Sequence, residues 1–476
     1  MRYLPRLLPD FLVQYRAPDS YRVLAWLVLL MTLLLLVIWP IPNGQLPFHR
    51  NFVLIPLFLL QAWLVCRRHA LPLDWHAFRK PLLLVGVLTG WIVVTGLWHS
   101  PSTSVFLQLL NGKWLRALET GFMGLTLLPV LAVNRIEAKR GMQCLWLIVL
   151  AMTLLALVQL ADFVSLWHQS GLLPLGFTRL AYSRFELSVY FSMALVFVFA
   201  EIAVRLAMGR SLFHGSRVGL FCALLILLVS QLGLVTRNAT VGIVANLLSI
   251  TILVSLMRAS QWGRRKTTLF ILLAVAVIAG IGVTSWKTDP RWTTFKQTLP
   301  LALDTTHHLA WLDKAHHAYP VMANGNTVDV SAYERIAWQK IGYEMVLKEP
   351  LGMGWYAENF HRAVEKYYGF TTTTQSHSGM INFALSNGIP GFILWLMLLG
   401  WLIDYGLRHF YQRKMVSGLA LAIFVMGMMM RGFFDDIWRD HMLEMFFFIS
   451  GFLLMLCDYE QSSAKIAQVN EKTGHE

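Results

Sequence analysis

Charged residues are scarce in this sequence. Asp, Glu, Lys and Arg make up 14% of its 476 residues and hydrophobic residues 56%, whereas an average soluble domain has roughly 25% charged residues. This excludes intrinsic disorder, which needs high charge and low hydrophobicity, and argues against a soluble multidomain protein. The apolar residues come in blocks of about 17–25, long enough to cross a bilayer core. The composition therefore predicts a polytopic membrane protein of the all-α class.

Cysteine is rare as well. The four cysteines lie within or at the end of apolar blocks, without C-x-x-C spacing: Cys66, Cys144, Cys222 and Cys457. This pattern indicates small apolar residues in helices rather than a metal site. A cleavable signal peptide is not expected, because the first apolar block, from about residue 23, is too long and lacks a small-residue cleavage site. This block should remain as the first membrane helix.

The apolar blocks predict about twelve transmembrane helices. Their ranges are 23–41, 52–66, 81–98, 117–133, 144–166, 187–207, 218–235, 240–257, 268–286, 379–403, 416–430 and 442–457. Residues 104–116 have an amphipathic pattern and are expected to lie along the membrane surface before the fourth span.

The net charge of +14 could suggest a nucleic-acid partner, but its distribution argues for a membrane. With the N-terminus placed in the cytoplasm, the cytoplasmic segments contain 23 Lys and Arg and the short outer loops contain eight. This asymmetry follows the positive-inside rule. We therefore expect both termini in the cytoplasm, contact with anionic membrane lipids and no nucleic acid.

One long polar segment, residues 287–378, separates the ninth and tenth spans on the outer side. Within it, residues 331–350 follow the period of a helix and end at Pro350, residues 352–355 (GMGW) form a turn, and residues 357–369 form a second helix. The predicted organisation is helices one to nine in residues 1–286, the loop in 287–378, helices ten to twelve in 379–457, and an unstructured cytoplasmic tail in 458–476.

His377 is the first candidate for chemistry, in the stretch TTTTQSHSGMINF. Ser376 or Ser378 is expected to cap the tenth span, which would place His377 in its first turn. A neutral imidazole there could accept a proton from a hydroxyl nucleophile. The alternative is an interfacial histidine that caps a helix.

Four arginines on the outer side form the second candidate set: Arg179, Arg184, Arg237 and Arg335. Arg237 occupies the short turn between spans seven and eight, and Arg335 lies in the first loop helix. A guanidinium binds phosphate oxygens in pairs, so the set suits a polyanionic ligand such as a lipid pyrophosphate. Each alone could instead be structural, and Arg237 could extend to the membrane interface.

Other polar clusters are weaker candidates. Two histidine pairs, His307-His308 and His316-His317, match no standard zinc spacing and have only Asp304 and Asp313 nearby, which argues against a metal site. Three carboxylates in the last outer loop are interpreted as solvated, mutually paired charges, with acceptor binding as the alternative: Asp435, Asp436 and Asp440.

The spacing around His377 resembles the H-[NSQ]-x9-G-x-x-G pattern of the O-antigen ligase family. Here it reads His377-Ser378, nine residues, then Gly388-Ile389-Pro390-Gly391, after the large loop as in that family. ERIAWQKIGYEMVLKEPLGMGW (334–355) is similar to the family's loop segment and places its arginine at Arg335. TRNATVG is similar to the arginine-bearing turn and places that arginine at Arg237, with Thr236 where the family often has serine.

The resemblance implies a metal-independent, inverting glycosyltransferase with a GT-C-like fold and a periplasmic loop, in the inner membrane of a bacterium. It would transfer a glycan from undecaprenyl pyrophosphate to a hydroxyl of the lipid A–core oligosaccharide, without a cofactor. His377 would activate or orient the acceptor hydroxyl. Arg237 and Arg335 would hold the pyrophosphate, with Arg184 and Arg179 as further donor-binding candidates.

Three alternatives remain open at this point. An O-antigen polymerase would share the donor, but its acceptor is another lipid-linked glycan. A protein O-oligosaccharyltransferase often has a soluble C-terminal domain, whereas only about 19 residues follow the last predicted span. A lipid or glycan transporter is less expected, because transporters often place charges at mid-membrane and these spans contain few.

Overall fold

The structure is a computed structural model that describes residues 19–42, 49–67, 78–131, 138–213, 215–288, 291–356, 358–438 and 441–473. Within these ranges the chain forms helices and no β-strands. The helices are α1 (Asp19–Ile38), α2 (Asn51–Cys66), α3 (Arg79–His99), α4 (Thr103–Leu109), α5 (Arg116–Leu131), α6 (Ala138–Ser170), α7 (Arg184–Met208), α8 (Arg217–Gly233), α9 (Arg237–Thr288), α10 (Arg291–Leu303), α11 (Val330–Lys348), α12 (Asn359–Tyr368), α13 (Gly379–Arg413), α14 (Val416–Phe434) and α15 (Met442–Thr473).

Each predicted span falls wholly or mostly on one of these helices, and residues 132–133 of the fourth lie outside the described residues. Among the described residues, eight helices are long and apolar enough to cross a membrane, in α1, α3, α6, α7, the second half of α9, α13, α14 and α15. Three shorter apolar helices correspond to the second, seventh and eighth predicted spans. The all-helical class is thus confirmed for the described residues, while the count of twelve spans and the periplasmic loop stay predictions.

Helices α7 and α15 lie in the interior of the bundle, whereas the second half of α9 lies at its periphery. Small residues let the interior helices approach closely, as in other membrane bundles. A Cβ on Gly124 of α5 would lie 2.0 Å from the carbonyl oxygen of Phe448, and one on Gly451 of α15 would lie 2.5 Å from that of Gly121. No larger residue fits at this crossing.

Two long helices are broken at glycines with left-handed backbone. Gly263 (φ 69°) divides α9, and Gly388 (φ 66°) divides α13 into residues 379–387 and 389–413. The second part of α13 has 25 residues, about 37 Å at 1.5 Å per residue, which suffices to cross a bilayer core of about 30 Å.

The segment of residues 287–378, called the loop segment below, has its own hydrophobic core. Helices α10, α11 and α12 bury Trp311, Tyr333 and Phe360 there, together with Ile381 and Leu385 from the first part of α13. The loop helices agree with the sequence prediction. We call the end of the bundle under this segment the loop end.

One local expectation needs revision. The C-terminal tail was expected to be unstructured from residue 458, but α15 continues to Thr473, so this expectation is wrong. Residues 104–116 form α4 and a π-helical turn, Leu110–Leu115, that leads into α5. Within this turn Trp114 is fully buried, and its Nε1 donates to Thr89 Oγ1 at 2.9 Å.

Candidate active site

His377 immediately precedes the serine that caps α13. Ser378 is the N-cap, and its Oγ accepts from the backbone N–H of Ile381 at 3.4 Å. His377 therefore lies outside the helix, so its expected place in the first turn is wrong. Its backbone is left-handed (φ 56°), a conformation that is uncommon for a residue with a side chain and that occurs preferentially at functional sites.

Hydrogen bonds on both sides of His377 stabilise this conformation. Ser376 Oγ accepts from the backbone N–H of Ser378 at 3.1 Å, and the N–H of Gly379 donates to the carbonyl of Asp435 at 3.0 Å. Ser376 and Ser378 are fully buried. The imidazole is thus attached to a rigid turn.

The ring of His377 stacks on the indole of Trp338 from α11. The ring centroids are 5.4 Å apart and the planes differ by 21°. Trp338 is itself fixed, because its Nε1 donates to the carbonyl of Trp311 at 2.9 Å, and the Thr373 hydroxyl donates to the same oxygen at 2.5 Å. The core of the loop segment therefore sets the plane of the imidazole.

A second polar chain starts beside His377. The Ser376 hydroxyl and Asn382 Oδ1 are 2.7 Å apart, and Asn382 Nδ2 donates to Asp436 Oδ2 at 2.8 Å. Asp436 Oδ1 also accepts from the N–H of Trp438. A carboxylate is thereby tied to the histidine turn. The sequence analysis did not single out Asn382, although its position one turn into the helix after Ser378 was available as a signal.

Two of the predicted arginines share an aromatic ring. The guanidinium carbons of Arg184 and Arg335 lie 5.3 Å and 5.1 Å from the centroid of Phe185. Arg184 begins α7 and Arg335 lies near the start of α11. The fold therefore brings together two cations that are far apart in sequence, through a phenylalanine that sequence reasoning overlooked.

The other two arginines have different surroundings. Arg179 forms an ion pair with Asp162 of α6 at 2.8 Å, and its side chain is 54% exposed. Arg237 is the first residue of α9, and its side chain lies outside the described part of the chain. The preceding Thr236 is buried, with its Oγ1 3.0 Å from Ser188 Oγ.

A buried arginine that the sequence analysis counted only as a loop charge connects these parts. Arg431, in the last turn of α14, donates through Nε to Asp435 (2.9 Å) and through its other nitrogens to Ser188 Oγ (2.8 Å) and Ser192 Oγ (2.7 Å). Ser188 in turn contacts Thr236. The network thus joins the turn before Arg237 to Asp435, whose carbonyl binds the histidine turn.

This network also corrects the interpretation of the acidic cluster. Asp435 is 8% exposed and paired with Arg431, so its description as a solvated charge is wrong. Asp436 binds Asn382, while Asp440 lies outside the described residues. The position of Arg431 at the end of an apolar block could have indicated this buried ion pair, because charged residues in such segments usually pair with one another.

Two of the four loop histidines pair with aspartates. His307 contacts Asp304 at 2.9 Å and His316 contacts Asp313 at 2.5 Å. Hydrogen bonds from His307 hold the pKa of Asp304 well below its usual value. No group of three potential metal ligands occurs among the residues that the structure describes.

Part of the chain is similar to a known protein family. Residues 195–396 match the family model described as O-antigen ligase. The matched range contains Arg237, Arg335 and His377, while Arg179 and Arg184 precede it. No curated protein sequence matches the chain. The match supports membership of the O-antigen ligase family and a glycosyltransferase activity of the ligase or polymerase type.

Proposed function

We propose that the protein is an O-antigen ligase that transfers a glycan from undecaprenyl pyrophosphate to a hydroxyl of the lipid A–core oligosaccharide. The single observation that carries this proposal is the arrangement on α11. Arg335 and Trp338 are three residues apart, so they are neighbours on one helix face, about 5–6 Å apart at their Cβ atoms. Trp338 stacks on the imidazole of His377, so the helix that holds Arg335 also positions the imidazole.

The proposed reaction is a single displacement. The acceptor hydroxyl oxygen attacks the anomeric carbon of the donor sugar while the bond from that carbon to the pyrophosphate oxygen breaks. His377 accepts the hydroxyl proton or orients the hydroxyl, and undecaprenyl pyrophosphate leaves as an anion. The configuration at the anomeric carbon is inverted.

The leaving group needs charge stabilisation rather than a proton, and fixed cations supply it without reorganisation during the reaction. We assign this role to Arg335 and Arg184, which share the ring of Phe185, and to Arg237. Arg179 is less available for the pyrophosphate, because Asp162 partly neutralises it. No metal or organic cofactor is required in this scheme.

A cavity of about 640 Å³ supports a lipid-linked donor. It lies between α6, α8 and both halves of α9, and its walls are mainly apolar, with Leu160, Phe163 and Ile281 among the lining residues. Thr236, the residue before Arg237, also lines it. A polyprenyl chain in this cavity would leave its pyrophosphate beside Arg237. In this proposal the site faces the periplasm, the protein lies in the bacterial inner membrane, and both termini are cytoplasmic.

Reconstitution tests the function. Purified protein is mixed with lipid A–core and undecaprenyl-pyrophosphate glycan in the presence of a chelator, and the products are separated on a glycan-stained gel. We expect lipid A–core to shift to higher mass with wild-type protein and with the control His307→Ala, whose residue is exposed, but not with His377→Ala. Longer chains on undecaprenyl pyrophosphate would indicate a polymerase, and a modified protein acceptor would indicate a protein O-oligosaccharyltransferase.

A further inference from the structure

Helix α11 lies across the loop end of the bundle. Arg335 contacts Phe185 at the start of α7, and Gln339 Nε2 donates to the carbonyl of Phe433 in the last turn of α14 at 3.0 Å. A Cβ on Gly342 would lie 2.7 Å from Cγ2 of Ile381. These contacts recur every three or four residues and so belong to one face of the helix.

The residues that follow α11 contact the ends of two candidate membrane spans, α3 and the second part of α13. Gly352 (φ 83°) packs on Gly388, where a Cβ would lie 2.4 Å from the backbone nitrogen of Gly388. Ser100, the residue after α3, donates through Oγ to the carbonyl of Trp355 at 3.0 Å. Residues 352–355 therefore lie at the boundary between the spans and the loop segment.

Three large apolar residues next to this boundary are exposed: Tyr343 (49%), Leu347 (72%) and Leu351 (54%). They are spaced by four residues and adjoin the face of α11 that contacts the bundle. The exposed side chains of Trp98 at the end of α3 and Ile393 on α13 lie near the same boundary. The three residues, called the α11 edge below, thus continue the apolar surface of the spans.

The charges around the α11 edge are already paired within the loop segment. The Lys348 ammonium lies over the rings of Tyr367 (4.7 Å) and Tyr368 (5.3 Å), and Lys366 forms an ion pair with Glu349. An anionic protein partner would find no excess of positive charge here. The apolar side chains and the tyrosine instead match the composition of a membrane–water interface, where tyrosine is enriched.

We propose that the α11 edge inserts into the boundary between lipid headgroups and acyl chains, so that α11 is an interfacial helix with the bilayer as its partner. The membrane then fixes the height of α11, and with it the positions of Arg335 and Trp338. None of the three residues of this surface is among those assigned to the proposed reaction, and its contact with lipid does not depend on that reaction.

Spin labels in reconstituted protein test this contact directly. Exposed Cys66 and Cys222 are replaced by serine, and a label is attached at Leu347→Cys or Leu351→Cys in phosphatidylethanolamine–phosphatidylglycerol vesicles. The controls are a lipid-facing label at Val94→Cys on α3 and a label at Asn324→Cys in the loop segment, both exposed positions. We expect the α11-edge labels to collide with oxygen more than with a water-soluble nickel chelate, as at position 94. Accessibility like that at position 324 would overturn the proposal.

Measurement of the transfer rate tests whether the membrane contact affects the candidate active site. Leu347→Glu should lower the transfer rate in vesicles at least about fivefold, whereas Val321→Glu, at an exposed position of the loop segment, should not. An unchanged rate with Leu347→Glu would overturn the claim that the membrane sets the height of α11. Since the spin-label result needs no catalytic activity, failure of the proposed function and failure of this inference remain distinguishable.

Discussion

Replacement of Trp338 tests how the imidazole of His377 is positioned. The ring centroids are 5.4 Å apart, within the range in which an aromatic pair contributes about 0.5–1.5 kcal/mol beyond area burial. If this contribution is made only while the imidazole carries the acceptor proton, its loss raises the barrier by that amount. Because about 1.4 kcal/mol corresponds to a factor of ten, Trp338→Leu should lower kcat by about two- to tenfold.

The assay is the initial rate of transfer at saturating donor, with Trp338→Phe and Met345→Ala as matched variants. Trp338→Phe keeps an aromatic face and should retain most of the rate. Met345 is fully buried in the same core, so Met345→Ala should lower the melting temperature, through a loss of about 2–5 kcal/mol, with little change in kcat. A normal kcat for Trp338→Leu, or an equal loss for Met345→Ala, would refute the positioning argument.

Three further predictions concern the arginines and the loop segment. Arg335→Lys should raise the KM for donor about tenfold or more, since lysine loses the planar fork that binds two phosphate oxygens; an unchanged KM would remove Arg335 from the donor site. Arg431→Met removes one half of a buried ion pair with Asp435, so it should cost about 3–5 kcal/mol of stability, visible as a lower melting temperature, and Arg431→Met/Asp435→Asn should recover part of the loss; no recovery would contradict the pairing. Burial raises the pKa of Glu349, but hydrogen bonds from Lys366 and Tyr367 outweigh it, so the pKa lies below its usual value. The ion pair between Glu349 and Lys366 therefore stabilises the folded protein at pH values above the pKa that Glu349 has in the unfolded chain. This stabilisation is lost as the pH falls through the lower pKa that Glu349 has in the folded protein. Because Lys366 is half exposed, Lys366→Met should lower the melting temperature by only about 1–2 °C at pH 7, and a difference that grows toward pH 3 would contradict the assignment.

The helical class and the loop helices could be predicted from the sequence because both depend on local periodicity. Apolar runs of membrane length identify spans wherever they lie, and the pattern ending at Pro350 anticipated α11, which ends at Lys348. The break of α13 at Gly388 could not be anticipated in this way. It depends on the close approach of Gly352 from the loop segment, which is a tertiary contact.

The candidate site could likewise be predicted from the sequence only in part. His377 and the arginines could be selected by residue type and position, since few polar residues occur at span ends. The contacts that position these residues could not be predicted, because Trp338, Phe185 and Arg431 each contact residues of helices that are distant in sequence. Trp338 in particular fits the apolar pattern of α11 and carries no local sign of its contact with His377.

The reaction products test the central claim most directly. Wild-type protein, donor and lipid A–core are incubated with chelator, undecaprenyl pyrophosphate is quantified by mass spectrometry, and the new glycosidic bond is analysed by NMR. We expect one undecaprenyl pyrophosphate to be released per glycan joined to lipid A–core, with inverted configuration at the anomeric carbon. Retained configuration, or glycan found only on the undecaprenyl carrier, would contradict it.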